Sequence, residues 1–188
     1  VVASIGNIGA SGGYYSALGA RRIWALPGSL TGSIGVITQF TDFHGLMEKV
    51  GVRSEVVKSG EMKDAGSPWR AMNDKEKALF QTMVLDVYAQ FREVVSERRK
   101  VDSAALDSLA DGRILTGRQA KKAHLVDTTG TLVEAIEEAR RMAKLGKDAP
   151  VDDDQPKQPL WKQFLDPEAE GLAHFLPVGR SRVELRIP

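Results

Sequence analysis

Short apolar runs alternate with turns of small residues over the first sixty residues of the chain. The runs have the length and the β-branched content of strands, and helix-like segments separate them. The two predicted helices are Tyr14 to Ala20 and Phe43 to Val50, and Gly51 ends the second. The predicted strands are Val1 to Ser4, Arg22 to Leu26, Ser33 to Phe40 and Arg53 to Lys58. This alternation indicates an α/β fold.

The middle of the chain has a helical pattern. Asn73 and Glu76 resemble an N-terminal capping pair, and behind them apolar residues recur every three or four positions toward Arg99. That spacing predicts one long helix with an apolar stripe made of Phe80, Val84, Val87, Tyr88, Phe91 and Val95. Further predicted helices are Ala104 to Leu109, a helix from the pair Thr116 and Gln119 to Lys122, and a helix from the pair Thr131 and Glu134 to Lys144 with Leu132, Ile136, Ala139 and Ala143 on one face.

The composition changes after Gly146. Residues 148–159 hold four Asp, three Pro and two Gln with almost nothing apolar, which is typical of a linker. The sequence therefore predicts a domain over 1–146, a polar linker over 147–159 and a tail over 160–188. The tail carries apolar residues that could dock on a surface, and its last stretch, 182–187, alternates like an edge strand. Because the chain opens on Val within an apolar stretch, we interpret it as a fragment whose upstream part is missing.

Composition limits the function classes. The chain has 188 residues, 42% of them hydrophobic, which is enough for one domain with a real core. Its formal charge of +1, with acidic and basic residues mixed, gives no electrostatic argument for nucleic acid. It has no cysteine, which excludes disulfides, thiol catalysis and thiolate metal sites. No apolar run approaches the roughly 18 residues of a membrane span.

Ser11 is a candidate nucleophile. It stands between a predicted strand and a predicted helix, with Gly9 before it and Gly12 and Gly13 after it. The glycines let the backbone turn sharply and leave room for a substrate carbonyl. The N–H of Gly12, near the helix N-terminus, can supply one half of an oxyanion hole. The same spacing also fits a helix-capping serine in a Gly/Ser turn, and spacing alone favours that simpler interpretation.

A catalytic serine needs a base, and histidine is the first choice. The pattern Gly-x-Ser-x-Gly matches the nucleophile elbow of α/β-hydrolases, in which histidine is the base. The order Ser11, Asp127, His174 satisfies the chain order of that family. His44 and His124 are the other histidines. None of the three stands in a segment that suggests catalysis, so each is first interpreted as a surface or packing residue.

Lysine is the alternative base, provided that its amine is buried and neutral. Lys63 stands in a loop of small residues after a predicted strand, whereas most other basic residues belong to charged helical faces. A solvated loop lysine remains the simpler interpretation from this pattern alone. Asp64 adds a condition, because a carboxylate facing the amine would raise the lysine pKa and oppose base catalysis.

Several motifs together carry a resemblance to a known family. They are Ala10-Ser11-Gly12-Gly13-Tyr14-Tyr15, Thr31-Gly32-Ser33-Ile34-Gly35-Val36, Lys58-Ser59-Gly60 with Lys63-Asp64, and Asp111-Gly112-Arg113 with Thr116-Gly117, Ala120 and Leu125-Val126-Asp127. In order and spacing they resemble the signal peptide peptidase A family of membrane-associated serine proteases, from about residue 1 to 143. Linked motifs are far more specific than any one of them, and they favour the catalytic interpretation of Ser11 and Lys63.

The resemblance implies roles for individual residues. Ser11 is implied as the nucleophile, Lys63 as the general base and Ser33 as the residue that hydrogen-bonds the lysine amine. Gly12 is implied as one oxyanion donor, and Gly13 and Tyr14 as substrate contacts. The second oxyanion donor of the family lies in an upstream Gly-Gly turn that this chain does not contain.

The chain departs from the family at one position. His124 stands where the family usually has glycine before Leu-Val-Asp. A glycine there suits a left-handed helix end, and histidine tolerates that backbone better than β-branched residues do. We therefore expect local strain at most.

The resemblance also implies a fold, partners and a location. The fold is crotonase-like, a superhelix of ββα units shared with caseinolytic protease, and it needs no cofactor or metal. Members form rings or domes, so we expect a homo-oligomer in which neighbouring subunits can share an active site. The expected substrates are signal peptides and other unfolded apolar segments, with no nucleic acid. The full-length protein is expected at the bacterial inner membrane with its catalytic domain outside the cytoplasm, and this fragment by itself is expected to be soluble.

Three other functions stay open at this point. One is an acyl-CoA enzyme on the same fold, in which the oxyanion hole stabilises an enolate and Ser11 and Lys63 are dispensable. The second is the histidine-based serine hydrolase. The third is a non-catalytic assembly subunit with an incomplete site.

Overall fold

The computed structural model describes residues 1–152 of the chain. In chain order the elements are β1 (Val2–Ile5), β2 (Ile8–Ala10), α1 (Gly12–Ala17), β3 (Arg22–Ala25), β4 (Leu30–Gly32), α2 (His44–Val50), a 3₁₀ helix (Glu61–Asp64), α3 (Asp74–Arg99), α4 (Ser103–Asp107), β5 (Ile114–Thr116), α5 (Gly117–Lys122), β6 (Thr128–Thr129) and α6 (Leu132–Met142). The predicted α/β class is confirmed.

The strands form two small sheets. One has the order β1-β3-β6 and is parallel. In the other, of order β2-β4-β5, β4 pairs parallel with β2 and antiparallel with β5. The parallel pair sets Ala10 opposite Gly32, so β2 and β4 end side by side. The residues that follow these two strands are therefore neighbours in space.

One hydrophobic core joins the first sheet to the helices. Residues from β1, α1, β3 and the long helix α3 contribute, together with α4, α5 and the segment after α5. The largest apolar side chains that are almost wholly buried are Tyr14, Leu18, Ile23, Ile34, Leu106, Leu125, Val95 and Val126. α3 contributes Phe91 and Val95 directly, and Tyr88 packs against the cluster. Val87 is half exposed, so the predicted stripe is correct for its C-terminal part but does not include this residue in the core.

Two predicted strands are wrong. The segment 33–40 is not a strand, and β4 instead lies just before it. The cause is local, because Gly32 and Ser33 have left-handed backbones (φ 71° and 50°) that end the extended run. The segment 53–58 forms no strand either, and every one of its residues is exposed. Its alternation has no partner strand among the described residues, and an unpaired strand is not stable.

The helix boundaries were predicted more closely. All three predicted capping pairs form complete capping boxes: Asn73 with Glu76, Thr116 with Gln119, and Thr131 with Glu134. α1 begins two residues before its predicted start and ends at Ala17, and α6 ends at Met142 rather than Lys144. His124 has φ 59°, which confirms the expected left-handed helix end. The apolar tail residues and the predicted strand 182–187 lie outside the described residues.

Within residues 1–152, no helix combines the length and the apolar character that crossing a bilayer requires.

Candidate active site

Ser11 sits on a sharp turn between β2 and α1. Its backbone has φ 51° and ψ −118°, a region that residues with a Cβ rarely adopt. Two backbone hydrogen bonds fix it there: Ser11 N–H donates to Gly32 O (2.8 Å), and Tyr15 N–H donates to Ser11 O (2.8 Å). A strained serine between strand and helix is the geometry of a nucleophile elbow, in which the hydroxyl is presented outward.

The Ser11 hydroxyl does not cap the helix. Ser11 occupies the N-cap position of α1, but its side chain makes no capping hydrogen bond. The interpretation of Ser11 as a capping serine is therefore wrong, and the hydroxyl stays free for other partners. Gly12 and Gly13 follow it, both exposed, with open space where a Cβ would stand. As the first residues of a helix their N–H groups have no intrahelical acceptor, so an anionic oxygen beside Ser11 could accept from them.

Ser33 is brought next to Ser11 by the register of the second sheet. Since Ala10 pairs with Gly32, the next residue of each strand is Ser11 and Ser33. Both have a left-handed φ, and Ser33 is half-buried. The structure thus places the implied nucleophile and the implied orienting serine at the same strand ends, with Gly12 beside them.

The turn Asp111-Gly112-Arg113 holds the Ser33 segment in place. Ser33 N–H donates to Arg113 O (2.8 Å), and Gly112 N–H donates to Ile34 O (3.1 Å). The Asp111 carboxylate closes the turn by accepting from the Arg113 N–H (3.0 Å) and from its guanidinium. The Arg113 side chain lowers the pKa of Asp111 to about 2, so this carboxylate is charged at neutral pH. This motif therefore has a supporting role, which is to fix the backbone of Ser33.

Tyr14 is not placed to contact a substrate. Its side chain has no exposed surface, and its hydroxyl donates to Leu125 O (2.7 Å) in the core. Burial raises the pKa of this hydroxyl above its usual range. Tyr14 fixes α1 to the segment after α5, and the prediction of a substrate contact is corrected for its side chain.

Lys63 lies on the 3₁₀ helix Glu61–Asp64 and is exposed. Its amine makes no ion pair or side-chain hydrogen bond with any residue of the described range, and none joins it to Ser11 or Ser33. The structure of the single chain thus brings Ser11, Gly12 and Ser33 together, and Lys63 forms no hydrogen bond with any of them. The hydrogen bonds of the dyad stay a prediction.

Asp64 does not pair with Lys63. Its carboxylate accepts from Arg70 Nε (3.0 Å) and Arg70 Nη2 (2.9 Å) and pairs with Lys58 Nζ (2.6 Å). The hydrogen bonds from Arg70, and then that from Lys58, hold the pKa of Asp64 well below its usual range. The condition placed on Lys63 by its acidic neighbour is met, because this carboxylate is already engaged by two other cations.

Arg70 and Glu76 take part in the ion pairs beside Lys63, and the sequence analysis did not identify this role. Glu76 is fully buried in the first turn of α3, where it binds Arg70 and accepts from Asn73 N–H (3.1 Å). The hydrogen bond from Arg70 outweighs burial and lowers the pKa of Glu76. The capping pattern identified Glu76 as a cap only. The sequence feature that could have indicated the ion pair is the acidic Glu76 at the start of a long helix, six residues after Arg70. A buried carboxylate requires a cation.

Of the two histidines within residues 1–152, neither forms a hydrogen bond with Ser11. His44 Nε2 lies 3.5 Å from Glu48 Oε1 on the exposed helix α2, and His124 is exposed at the end of α5. His174 lies outside the described residues. Asp127, its proposed partner, accepts from Ile23 N–H (2.7 Å) and Arg99 Nη1 (3.0 Å). Burial alone would raise the pKa of Asp127, but these donors hold it lowered, so this carboxylate stabilises the fold.

Residues 1–152 contain no group of three histidine, aspartate or glutamate side chains that could hold a metal ion.

Comparison with known proteins places the chain in a family. The model of peptidase family S49 matches residues 1–146. A Synechocystis protein named "Putative protease" is 40% identical over 184 residues, which is 96% of this chain and 66% of that protein. An Enterococcus faecium protein named "Putative signal peptide peptidase SppA" is 40% identical over 139 residues, 74% of this chain and 40% of that protein. "Protease 4" of Haemophilus influenzae is 32% identical over 153 residues, 81% of this chain and 25% of that protein.

The chain spans between a quarter and two thirds of the length of these relatives. The alignment with the Synechocystis protein covers nearly the whole chain, so it extends into the tail, for which the sequence alone offered no resemblance. The family match covers every motif on which the resemblance rested, from Ser11 to Asp127. The predicted signal peptide peptidase A family of serine peptidases is confirmed: the chain belongs to peptidase family S49.

Proposed function

We propose that this chain carries the nucleophile and the general base of a serine endopeptidase that cleaves extended apolar peptides, with signal peptides as the substrate class. The observation that carries the proposal is the backbone of Ser11. Strained φ and ψ angles are maintained at a residue whose hydroxyl makes no hydrogen bond with any residue in 1–152, beside the exposed residues Gly12 and Gly13. Strain of this kind persists where function requires it. The substrate class is supported by the printed name of the Enterococcus faecium relative.

The reaction runs through an acyl-enzyme. Neutral Lys63 takes the proton of the Ser11 hydroxyl as the Ser11 oxygen attacks a peptide carbonyl. The Gly12 N–H donates to the oxyanion, and Lys63 then gives its proton to the leaving amine. In the second step Lys63 takes a proton from water, the water oxygen attacks the acyl carbonyl, and Ser11 leaves with the proton returned to it. Ser33 lies beside Ser11 at the strand ends. Its hydroxyl forms a hydrogen bond with the Lys63 amine and holds that amine in place.

The exposure of Lys63 has a consequence for this mechanism. A lysine acts as a base near neutral pH only when its amine is removed from water. In the described chain Lys63 is exposed, so its desolvation has to come from other protein surface. We propose that this surface belongs to neighbouring copies in a homo-oligomer of crotonase-like domains, associated with a membrane in the full-length protein. The mixed α/β architecture is compatible with that fold.

Substitution of the two proposed residues in the full-length protein tests the function. Cleavage of an internally quenched apolar peptide should fall by at least about a thousandfold in both Ser11→Ala and Lys63→Ala, as for other catalytic nucleophiles and bases. Ser54→Ala and Lys49→Ala are matched controls, since both residues are exposed and away from the strand ends. Mass spectrometry of a slowly hydrolysed ester should locate the acyl group on Ser11.

Other outcomes point to the other functions. Activity that persists in Lys63→Ala but disappears in His44→Ala, His124→Ala or His174→Ala would establish the histidine-based hydrolase. Turnover of acyl-CoA thioesters that survives Ser11→Ala would establish the crotonase-type enzyme. If the intact protein turns over neither peptide nor thioester, the chain is an assembly subunit.

A further inference from the structure

The 3₁₀ helix Glu61–Asp64 carries three charged side chains, and only the cation is unpaired within the described part of the chain. Glu61 Oε1 lies 3.0 Å from Lys75 Nζ. Asp64 is bound by Lys58 and Arg70. Lys63, between them in the sequence, has neither acid as its partner. Both carboxylates that a flexible Lys63 amine could reach on its own helix are therefore engaged by cations from outside it.

Arg70 makes more hydrogen bonds than the other two cations, Lys58 and Lys75. It binds both carboxylate oxygens of Asp64 and also donates to the Asp64 backbone oxygen (3.2 Å). On its other side it binds the fully buried Glu76, with Nη1 2.9 Å from Oε2. A planar guanidinium that makes two-point contacts to carboxylates holds their orientation as well as their charge. Arg70 therefore connects the 3₁₀ helix rigidly to the first turn of α3.

The charged groups that pair with the acids of this 3₁₀ helix, and those acids themselves, come from four segments. Glu61 and Asp64 belong to the helix itself, Lys58 and Arg70 to the loops before and after it, and Lys75, together with the Arg70 partner Glu76, to the start of α3. The pair of Glu61 and Lys75 is exposed on both sides, so water and salt weaken it. The arrangement around Asp64 is less exposed and is anchored by a buried carboxylate. The ion pairs of Asp64 are therefore the interactions that can determine whether a carboxylate approaches the Lys63 amine.

We propose that Arg70, anchored by Glu76, is a positioning residue for the general base: it keeps the Asp64 carboxylate away from the Lys63 amine, so that this amine can be neutral when it accepts the Ser11 proton. This inference rests on the proposed function, because it takes Lys63 to be the base. Without Arg70, Lys58 still holds Asp64 Oδ1 (2.6 Å), but Oδ2 loses its partner Arg70 Nε and can turn to the neighbouring amine. An opposite charge within about 4–6 Å favours the protonated lysine.

The test compares pH profiles in a background that keeps the protein folded. Removing Arg70 alone leaves the charge of Glu76 buried without a partner, so all variants carry Glu76→Gln, whose amide oxygen can still accept from Asn73 N–H. The parent of the series is the full-length Glu76→Gln protein. Arg70→Met is added first and Asp64→Asn second, and kcat/KM for an apolar peptide is measured from pH 5 to 10. Circular dichroism confirms that each variant is folded.

Arg70→Met should move the acid limb of the profile upward by about 1 pH unit, which is about a tenfold loss of activity below that limb, with the alkaline plateau largely kept. Adding Asp64→Asn should return the limb to the parent position, because the competing carboxylate is gone. Arg141→Met removes a similar arginine fork, to Glu138 on α6, and should leave the limb in place.

Two results overturn the proposal: an acid limb that does not move in Arg70→Met, or a moved limb that Asp64→Asn does not restore. A purely structural role of Arg70 gives the first result, with equal losses at every pH. The reactivity of the Lys63 amine toward acetic anhydride, followed by mass spectrometry against pH, gives the same answer without turnover. Full activity of Lys63→Ala would instead refute the proposed function, whereas an inactive Lys63→Ala with an unmoved limb refutes this inference alone.

Discussion

The strained backbone of Ser11 makes a prediction about stability that reverses the usual ranking of alanine and glycine. With φ 51° and ψ −118°, Ser11 occupies a region that is essentially open to glycine alone. A residue with a Cβ held there costs about 1–3 kcal/mol. Ser11→Ala keeps the Cβ and therefore the strain, whereas Ser11→Gly removes it. Both variants lose the nucleophile, so activity does not complicate the comparison.

The expected difference follows from two opposing effects. Glycine relieves the strain but makes the unfolded chain more flexible, which costs about 0.4–1 kcal/mol. With the middle of each range, Ser11→Gly should therefore be more stable than Ser11→Ala by about 1.3 kcal/mol. For a domain of this size that corresponds to a difference of about 3–5 °C in Tm. Urea unfolding followed by circular dichroism measures the free energy, and calorimetry measures Tm.

Ser16 provides the matched control. It lies inside α1, in ordinary helical backbone, five residues from Ser11. There glycine should be less stable than alanine by about 0.5–1 kcal/mol, the normal order in a helix. If alanine is as stable as glycine at position 11, the backbone of Ser11 is not strained, and the main structural argument for its role as nucleophile is lost.

Three further predictions concern the framework of the site. Tyr14→Phe should lower the free energy of unfolding by about 1–2 kcal/mol in urea titrations, because Leu125 O loses its buried donor; an unchanged midpoint would contradict this. Gly117→Ala should cost about 1–3 kcal/mol or more, since a Cβ there would lie 2.0 Å from Leu26 O; a variant that matches the wild-type Tm would refute the contact. The folded-state pKa of Asp127 is lowered, so its stabilising effect is present above about pH 4 and is lost as the pH falls through the folded-state value. The stability difference between Asp127→Asn and the wild type should therefore shrink from pH 6 to pH 3, and a constant difference would show that the carboxylate charge is not involved.

The helices could be predicted because their signals are local. A capping box needs only two residues three positions apart, and an apolar stripe needs only one helix. The left-handed end at His124 was foreseen for the same reason, since the requirement belongs to a single residue. Elements whose determinants lie within a few residues of one another were thus predicted to within about two positions at most ends.

The wrong strand at 53–58 could not be recognised from the sequence because strand pairing is not local. Val56 and Val57 have high strand propensity, yet they are exposed, and the described residues offer them no partner. Propensity describes how well a side chain fits a paired sheet and does not supply the pairing. The position of Ser33 depended likewise on β2 and on the turn at Asp111, which lies almost eighty residues later in the chain.

The candidate site shows the same division. Ser11 and Gly12 were identified from their own segment, and the register of β2 and β4 then placed Ser33 beside them. The engagement of Asp64 by Arg70, in contrast, depends on a loop without periodicity and on a buried glutamate. A sequence pattern shows which charges are close along the chain, but it does not show which of them pair. For that reason the sequence left open whether Asp64 opposes Lys63.

The two halves of the proposed site are held by different forces, and this predicts that they are independent in the isolated chain. Ser11 is fixed by strand register and backbone hydrogen bonds, whereas the helix that carries Lys63 is fixed by the ion pairs of Arg70. No hydrogen bond partner is shared between them among the described residues, so perturbations of the two should add.

In the isolated chain, the change in unfolding free energy of the double variant Ser11→Gly with Glu76→Gln should equal the sum of the two single changes within the error of the measurement. If the proposed assembly brings the lysine amine to the serine hydroxyl, the same double-mutant cycle should depart from additivity in the assembled protein. Additivity in both states would mean that assembly does not bring the two halves together.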